Sequence, residues 1–219
     1  MSTAQPAAGE TDRRVDTRYP VLPALVDRWS PRSFTDREPE PAKLCSMFEA
    51  ARLAPSAHNT QPTRFLLARK GRGDVYRRLF DCLDDHNQEW ADRAPVLILA
   101  SVTRRRFSQI TGEFHPYPHC LHDLGLAVMS LTVQAHHLGL HTHLMAAFDP
   151  EKAQEEFAIP ELFLPAMVIA VGYLGPSDAL PPDLREKEEA PRTRRPLEEL
   201  VFEDGWGEAS ALFGSAETA

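Results

Sequence analysis

The 219 residues include 42% hydrophobic and 26% charged positions, proportions of a globular protein long enough for one substantial core. A formal net charge of −8 opposes binding to a polyanion, so arginine clusters are read as sites for a small anion and not as a nucleic-acid face. No stretch approaches the roughly 20 apolar residues of a membrane span; the N-terminus MSTAQPAAGETDRR has no signal-peptide core, and Cys45, Cys82 and Cys120 form neither a disulfide framework nor a metal knuckle, so a cytoplasmic chain with three core thiols is expected.

Residues 1–18 are polar, lack periodicity and are expected to be a disordered lead. From Pro41 the apolar positions Leu44, Met47, Phe48, Ala51 and Ala54 recur in steps of three and four, which predicts an amphipathic helix ending near Pro55. TRFLLA (63–68) and VLILASV (96–102) are apolar runs bounded by breakers, as for strands buried on both faces. Between them Leu79, Leu83 and Trp90 are helix-spaced among charges and indicate surface helices. The longest periodic element runs from about His119 to Leu138. Leu121, Leu124, Val128, Leu131, Ala135 and Leu138 form one stripe and Leu126, Met129 and Val133 a second, so this helix is central or meets another subunit. Gly139 stops it, LHTHLMA (140–146) alternates as a strand, a short helix covers 150–157, and AMVIAVGYL (166–174) is a further strand. The alternation is that of an α/β or α+β sheet. After Gly175 five prolines and no core periodicity describe an arm, and PLEELVF beyond it has the apolar content to dock. One domain over 19–175 and a C-terminal arm over 176–219, lying on a partner subunit, are expected.

Two arginine groups stand at opposite ends of the chain: Arg28 and Arg32 in RWSPRSF (28–34), and Arg192, Arg194 and Arg195 in APRTRRP. Guanidinium groups grip phosphate through paired hydrogen bonds, and Ser30 adds a hydroxyl and a backbone N–H. APSAHNTQP (54–62) holds Asn59 and Gln61 between prolines, either as a polar loop or as amides fixed for a ligand. A dianion site together with fixed donors and acceptors is what a flavin mononucleotide requires. The histidines near Cys120 (His115, His119, His122) match no common zinc spacing, and no metal ligand is assigned. His136 and His137 suit the dipole at a helix C-terminus, and His119 and Asp123, one turn apart, suit a capping or core hydrogen bond.

These motifs, in this order from about Tyr19 to Trp206, resemble the FMN-dependent nitroreductases. RWSPRSF is similar to that family's opening phosphate motif, which implies Arg28, Ser30 and Arg32 on the FMN phosphate side, with Trp29 among the contacts. APSAHNTQP resembles the second motif, implying that Asn59 and Gln61 face the flavin while Pro55, Ser56 and Ala57 reach it through backbone from the other subunit. HDLGLAVMSLTVQAHHLGL (122–140) resembles the long dimer helix, HLMAAFDPEKA (143–153) the strand and turn beside flavin N5, with Ala146 and Ala147 there, and RTRRPLEELV (192–201) the arm whose Arg192 and Arg194 complete the phosphate site. Thr63 stands where many relatives have tryptophan, and Ala147 where many have glycine. Ala146 replaces a glutamate found in some relatives, so no acid or base role passes to it.

The resemblance implies an α+β, three-layer fold: a central, mainly antiparallel sheet flanked by helices, with the C-terminal arm exchanged in a homodimer that holds two flavins at its interface. It implies hydride transfer from NAD(P)H through FMN to a small planar acceptor (nitroaromatic, quinone or enone) by a ping-pong mechanism, with no catalytic side chain. Phe114, His115 and Tyr117, in the irregular segment 107–119, are the candidate acceptor pocket. The rival readings are a flavin-fragmenting or dehalogenating relative, a histidine-rich metal-binding protein and a flavin-binding module without turnover.

Overall fold

A computed structural model describes residues 13–213; the expectation for residues 1–12 lies outside them. In chain order the elements are α1 (Pro23–Asp27), α2 (Pro41–Arg52), β1 (Thr63–Arg69), α3 (Val75–Phe80), α4 (Asp85–Ala91), β2 (Val96–Thr103), β3 (Arg105–Phe107), β4 (Phe114–Pro116), α5 (Cys120–His137), β5 (His141–Met145), α6 (Pro150–Glu156), β6 (Phe163–Gly172) and α7 (Pro182–Glu189). Four strands form one antiparallel sheet in the order β1-β2-β6-β5, and β3 and β4 pair as a separate hairpin.

The run VLILASV becomes β2 and is buried along its whole length because helices cover both faces of the sheet. Strand side chains alternate between faces. Leu97 and Leu99 therefore join Leu79, Phe80, Trp90 and Leu184 in one half of the core. Val96, Ile98, Ala100 and Val102 join Leu44, Met47, Leu124 and Leu131 in the other. Each fully buried leucine contributes roughly 1.5–3 kcal/mol. The result is the expected α+β arrangement of three layers. No helix among the described residues is long and apolar enough to cross a membrane.

The two stripes of α5 part company. Leu124, Val128, Leu131 and Ala135 of the first are buried against the sheet, although Leu121 at its start is 57% exposed, whereas Met129 of the second is 43% exposed and Leu126 and Val133 half-buried. An apolar helix face thus remains open to solvent in the single chain.

Three expectations are corrected. The segment after Gly175 contains α7, which puts Leu184, with Leu180 just before it, in the chain's own core; residues 176–189 therefore begin the arm on their own subunit. Cys45 is exposed on the outer side of α2, while Cys82 and Cys120 are buried as expected. The segment 107–119 is not irregular throughout, because its first and central residues build the β3–β4 hairpin. Residues 13–18 contain no helix or strand but run against the arm, where Arg13 Nη1 donates to the Ala190 carbonyl at 2.6 Å and Arg18 pairs with Glu198 at 2.7 Å.

Candidate functional site

The loop 28–33 lies along the edge strand β5. His143 Nδ1 meets the Pro31 carbonyl at 3.0 Å, and the Trp29 and His141 rings meet edge to face at 6.3 Å. Burial pushes His141 and His143 down to about 4, so both rings are neutral at pH 7. A neutral His143 therefore donates Nδ1–H to Pro31. On the other side, Glu188 of α7 is buried and accepts the backbone N–H of Arg32 at 3.0 Å and that of Ser33 at 3.2 Å. The loop 28–33 is thus fixed through its backbone, which leaves its side chains free to serve a ligand.

Those side chains concentrate positive charge. Arg28 Nη1 lies 3.4 Å from Ser30 Oγ. Its guanidinium is held below its ordinary value by burial and by Arg194. Arg192 is lowered by burial, then by Arg28 and Arg194. Arg28 and Arg192, 164 residues apart in the chain, thus meet, and among the described residues none of the three has an ion pair. Arg32 has only a distant partner, Glu188 at 3.9 Å, and its buried Nε has no hydrogen bond. Mutual repulsion only partly offset by Asp27, together with an orphaned guanidinium N–H, fits a dianionic phosphate.

The loop 55–62 is the second half. His58, Asn59 and Gln61 all have positive φ (55°, 53° and 48°), a conformation that costs non-glycine residues about 1–3 kcal/mol each unless the surroundings enforce it. The prolines are not the main restraint. Ser56 Oγ accepts the Gln61 N–H at 2.9 Å, Thr60 Oγ1 donates to the Ala57 carbonyl at 3.0 Å, and the Tyr117 hydroxyl lies 3.1 Å from the same carbonyl. Beneath them the Asp123 carboxylate accepts the Ala57 N–H at 3.1 Å, the Tyr117 hydroxyl and His122 Nδ1 at 3.0 Å. Burial would raise the pKa of Asp123, but these three hydrogen bonds outweigh it and hold the carboxyl below its ordinary value. The side chains of Asn59 and Gln61 stand exposed on this framework, with Gln61 Nε2 donating to the Asn59 carbonyl at 3.4 Å. Pro55 and Ser56 line a groove with Phe48, Ala51, Phe65 and Ala127.

Several residues differ from expectation. Tyr117 is only 2% exposed and supports the loop from within, so it does not line an open pocket. Phe114 is exposed and His115 half-buried against Thr111 Oγ1 at 2.7 Å. The side-chain partners of Asp123 are Tyr117 and His122, not His119. His136 is pushed down by burial and its Nδ1 has no partner, so it is a neutral ring and not a charged cap. Ala146 and Ala147 lie exposed just past β5, and the Ala147 carbonyl accepts Asn87 Nδ2 at 3.0 Å. Asn87 is buried at the start of α4, and in the sequence only its place three residues after the capping Asp84 marks it.

The two halves sit at opposite ends of α5. The amide loop is tied to Asp123, near its start, and the arginine site lies beside His136, whose titration feels Arg28 and Arg192, near its end. The 13 residue steps from Asp123 to His136 span about 20 Å at 1.5 Å per residue. One chain does not bring them onto a single small ligand.

Comparison with known proteins follows the same lines. The model of the Nitroreductase family matches residues 25–83 and 69–173. A Streptomyces coelicolor protein, provisionally named an NADH dehydrogenase/NAD(P)H nitroreductase, is 30% identical over 166 residues, 68% of this chain and 80% of that one. An uncharacterised 15.4 kDa protein of Mycolicibacterium smegmatis is 36% identical over 85 residues, which cover 39% of this chain and 57% of that one. A solved structure described as an oxidoreductase containing FMN superposes with a TM-score of 0.84 at 36% identity, covering 90% of this chain and 98% of the other.

Proposed function

This chain belongs to the nitroreductase family, and on that premise we propose that it is an FMN-dependent oxidoreductase, active as a homodimer, that passes electrons from NAD(P)H to a small planar acceptor such as a nitroaromatic, quinone or enone. The observation that carries the reading is the meeting of Arg28, Arg192 and Arg194, none of them ion-paired among the described residues and the nearby Asp27 held by Arg14, next to the Nε of Arg32, which has no hydrogen bond. FMN supplies the two-electron chemistry once bound. Arg28, Ser30, Arg32, Arg192 and Arg194 hold its phosphate, and Ala146 and Ala147 bring backbone close to the reacting side of the ring.

The amides of Asn59 and Gln61 match the polar ring edge, but from the partner. The separation of about 20 Å along α5 supports this, and the exposed face at Leu121, Leu126 and Met129 offers a surface on which a second copy packs antiparallel. Such a pairing sets the start of one α5 beside the end of the other and completes two equivalent sites, a closed two-fold arrangement. No side chain of the site is assigned proton transfer. The protein's work is to bind, to orient and to keep water from the ring.

The test is to purify the protein, record its absorption spectrum and titrate it anaerobically with NAD(P)H while measuring its mass in solution. A yellow dimer that bleaches is expected. Ending the chain after Ala190 keeps α7 and removes Arg192 and Arg194, and should release FMN. A monomer that retains FMN refutes the shared site; a yellow protein that no reduced nicotinamide bleaches refutes the oxidoreductase.

A further inference from the structure

Eleven of the twenty arginines are ion-paired to a carboxylate among the described residues. The nine others are not scattered. Arg13, Arg28, Arg192 and Arg194 belong to the phosphate site, and Arg93 stands alone. The remaining four, Arg64, Arg104, Arg105 and Arg106, gather at the root of the β3–β4 hairpin, a second concentration of uncompensated positive charge in a chain of net charge −8.

The topology brings them together. The Thr103 N–H donates to the Pro62 carbonyl at 3.1 Å, which sets the end of β2 against the end of the amide loop. The Arg104 N–H donates to the Leu162 carbonyl at 3.1 Å, and the Arg64 guanidinium lies 5.7 Å from the ring of the next residue, Phe163. Arg64 Nη1 donates to the Gln61 carbonyl at 2.9 Å, and Arg105 Nη2 to the Phe114 carbonyl at 2.8 Å. Carbonyls orient these groups without neutralising them. The carboxylates nearest in sequence, Glu113 and Glu161, form no ion pair among the described residues. On the face of the hairpin that Arg105 shares, Phe107 and Phe114 pack edge to face at 5.3 Å and remain 48% and 45% exposed. Cations next to an open aromatic face recognise a phosphorylated nucleoside: the guanidinium forks take the phosphate and the ring takes the base.

We propose that the hairpin root binds the adenosine end of the dinucleotide donor, and that its arginines select the 2′-phosphate of NADPH over NADH. The inference rests on the oxidoreductase reading above, since Gln61, whose carbonyl holds Arg64, is the residue that reading places at the ring edge. A donor with its nicotinamide on the ring leaves its adenosine end at the rim of the site, where the hairpin stands.

The experiment uses the FMN-loaded dimer and compares wild type with Arg104→Ala/Arg105→Ala and with the charge reversal Arg105→Glu, because Arg105 shares its face of the hairpin with Phe107 and Phe114. Losing one or two charge-assisted hydrogen bonds to phosphate should raise the NADPH KM about tenfold or more, with NADH changed less than about twofold and FMN content unchanged. Calorimetry with 2′,5′-ADP and 5′-AMP gives a readout independent of turnover: the wild type should prefer 2′,5′-ADP and both variants should lose that preference. Equal shifts for the two donors, no preference for 2′,5′-ADP, or an effect confined to the KM of an anionic acceptor each overturn the inference. In these cases the wild-type flavin still bleaches. Failure of both donors to bleach the wild type overturns the oxidoreductase reading itself.

Discussion

Replacing Asp123 tests whether the strained amide loop is held from beneath. Its side chain is 1% exposed and accepts three donors: the Ala57 N–H, the Tyr117 hydroxyl and His122 Nδ1. Hydrogen bonds to a charged group contribute about 1.5–3 kcal/mol each, and a buried donor left without a partner costs about 1–3 kcal/mol. Tyr117 can turn to the Ala57 carbonyl or Thr60 Oγ1, 3.1 and 2.7 Å away, whereas the Ala57 N–H has no second acceptor. Asp123→Ala should therefore destabilise the fold by about 2–5 kcal/mol, and Asp123→Asn by about 1–2 kcal/mol because its amide oxygen still serves Ala57. Both should weaken FMN binding, since the positive-φ turn relaxes once its support is gone. Because the pKa of Asp123 is depressed by folding, its stabilisation is complete above the unfolded value near 3.9 and is lost as pH falls through the folded value. The gap between wild type and Asp123→Asn in urea denaturation should thus be full at pH 6–7 and shrink below about pH 4. An Asp123→Ala protein within about 0.5 kcal/mol of wild type, with unchanged FMN affinity, would refute this account of the loop.

Arg32→Ala should lose FMN affinity by about 2–5 kcal/mol, roughly thirtyfold to several-thousandfold, while Arg32→Lys falls between it and wild type and Arg77→Ala, on the surface of α3, stays unchanged in FMN titrations. Glu188→Ala orphans the Arg32 and Ser33 N–H groups and should destabilise more than Glu188→Gln in urea. Burial raises the pKa of Glu188 against the pull of those N–H groups, so its contribution is greatest below the unfolded value near 4.3 and declines as pH rises through the folded one. Glu188→Gln should accordingly gain on wild type between acid and neutral pH. Initial rates at several acceptor concentrations should give parallel double-reciprocal lines against NAD(P)H, and intersecting lines would exclude a single slot used in turn by donor and acceptor.

What could be read in advance depended on how far each signal reached along the chain. The helix period of α5 and the unbroken apolar run of β2 are local, and both appear where the pattern puts them. The hairpin does not announce itself, because three residues per strand are too few for any period. α7 hides behind prolines and charges, with Leu180 and Leu184 as its whole apolar signal. The arginines at the two ends of the chain are joined by the motif resemblance and not by any local signal, and they meet. Asp123 could not be understood that way. Helical spacing pointed to His119 one turn back, whereas a decisive partner, Ala57, lies 66 residues upstream and is brought in only by packing. His136 shows the same limit: its position predicts a dipole partner, but its burial keeps it uncharged.

The positive φ angles of the amide loop have an engineering consequence. A glycine adopts φ near +55° without the roughly 1–2 kcal/mol penalty that a side chain incurs there. His58 carries the same backbone strain as its neighbours at 59 and 61 but no assigned contact with a ligand. Position 58 is thus where thermal tolerance can be raised without touching the recognition amides. The same exchange at 59 or 61 would sacrifice grip on the ligand for melting temperature. Within a few residues the loop holds one site at which stability and function are separable and two at which they compete.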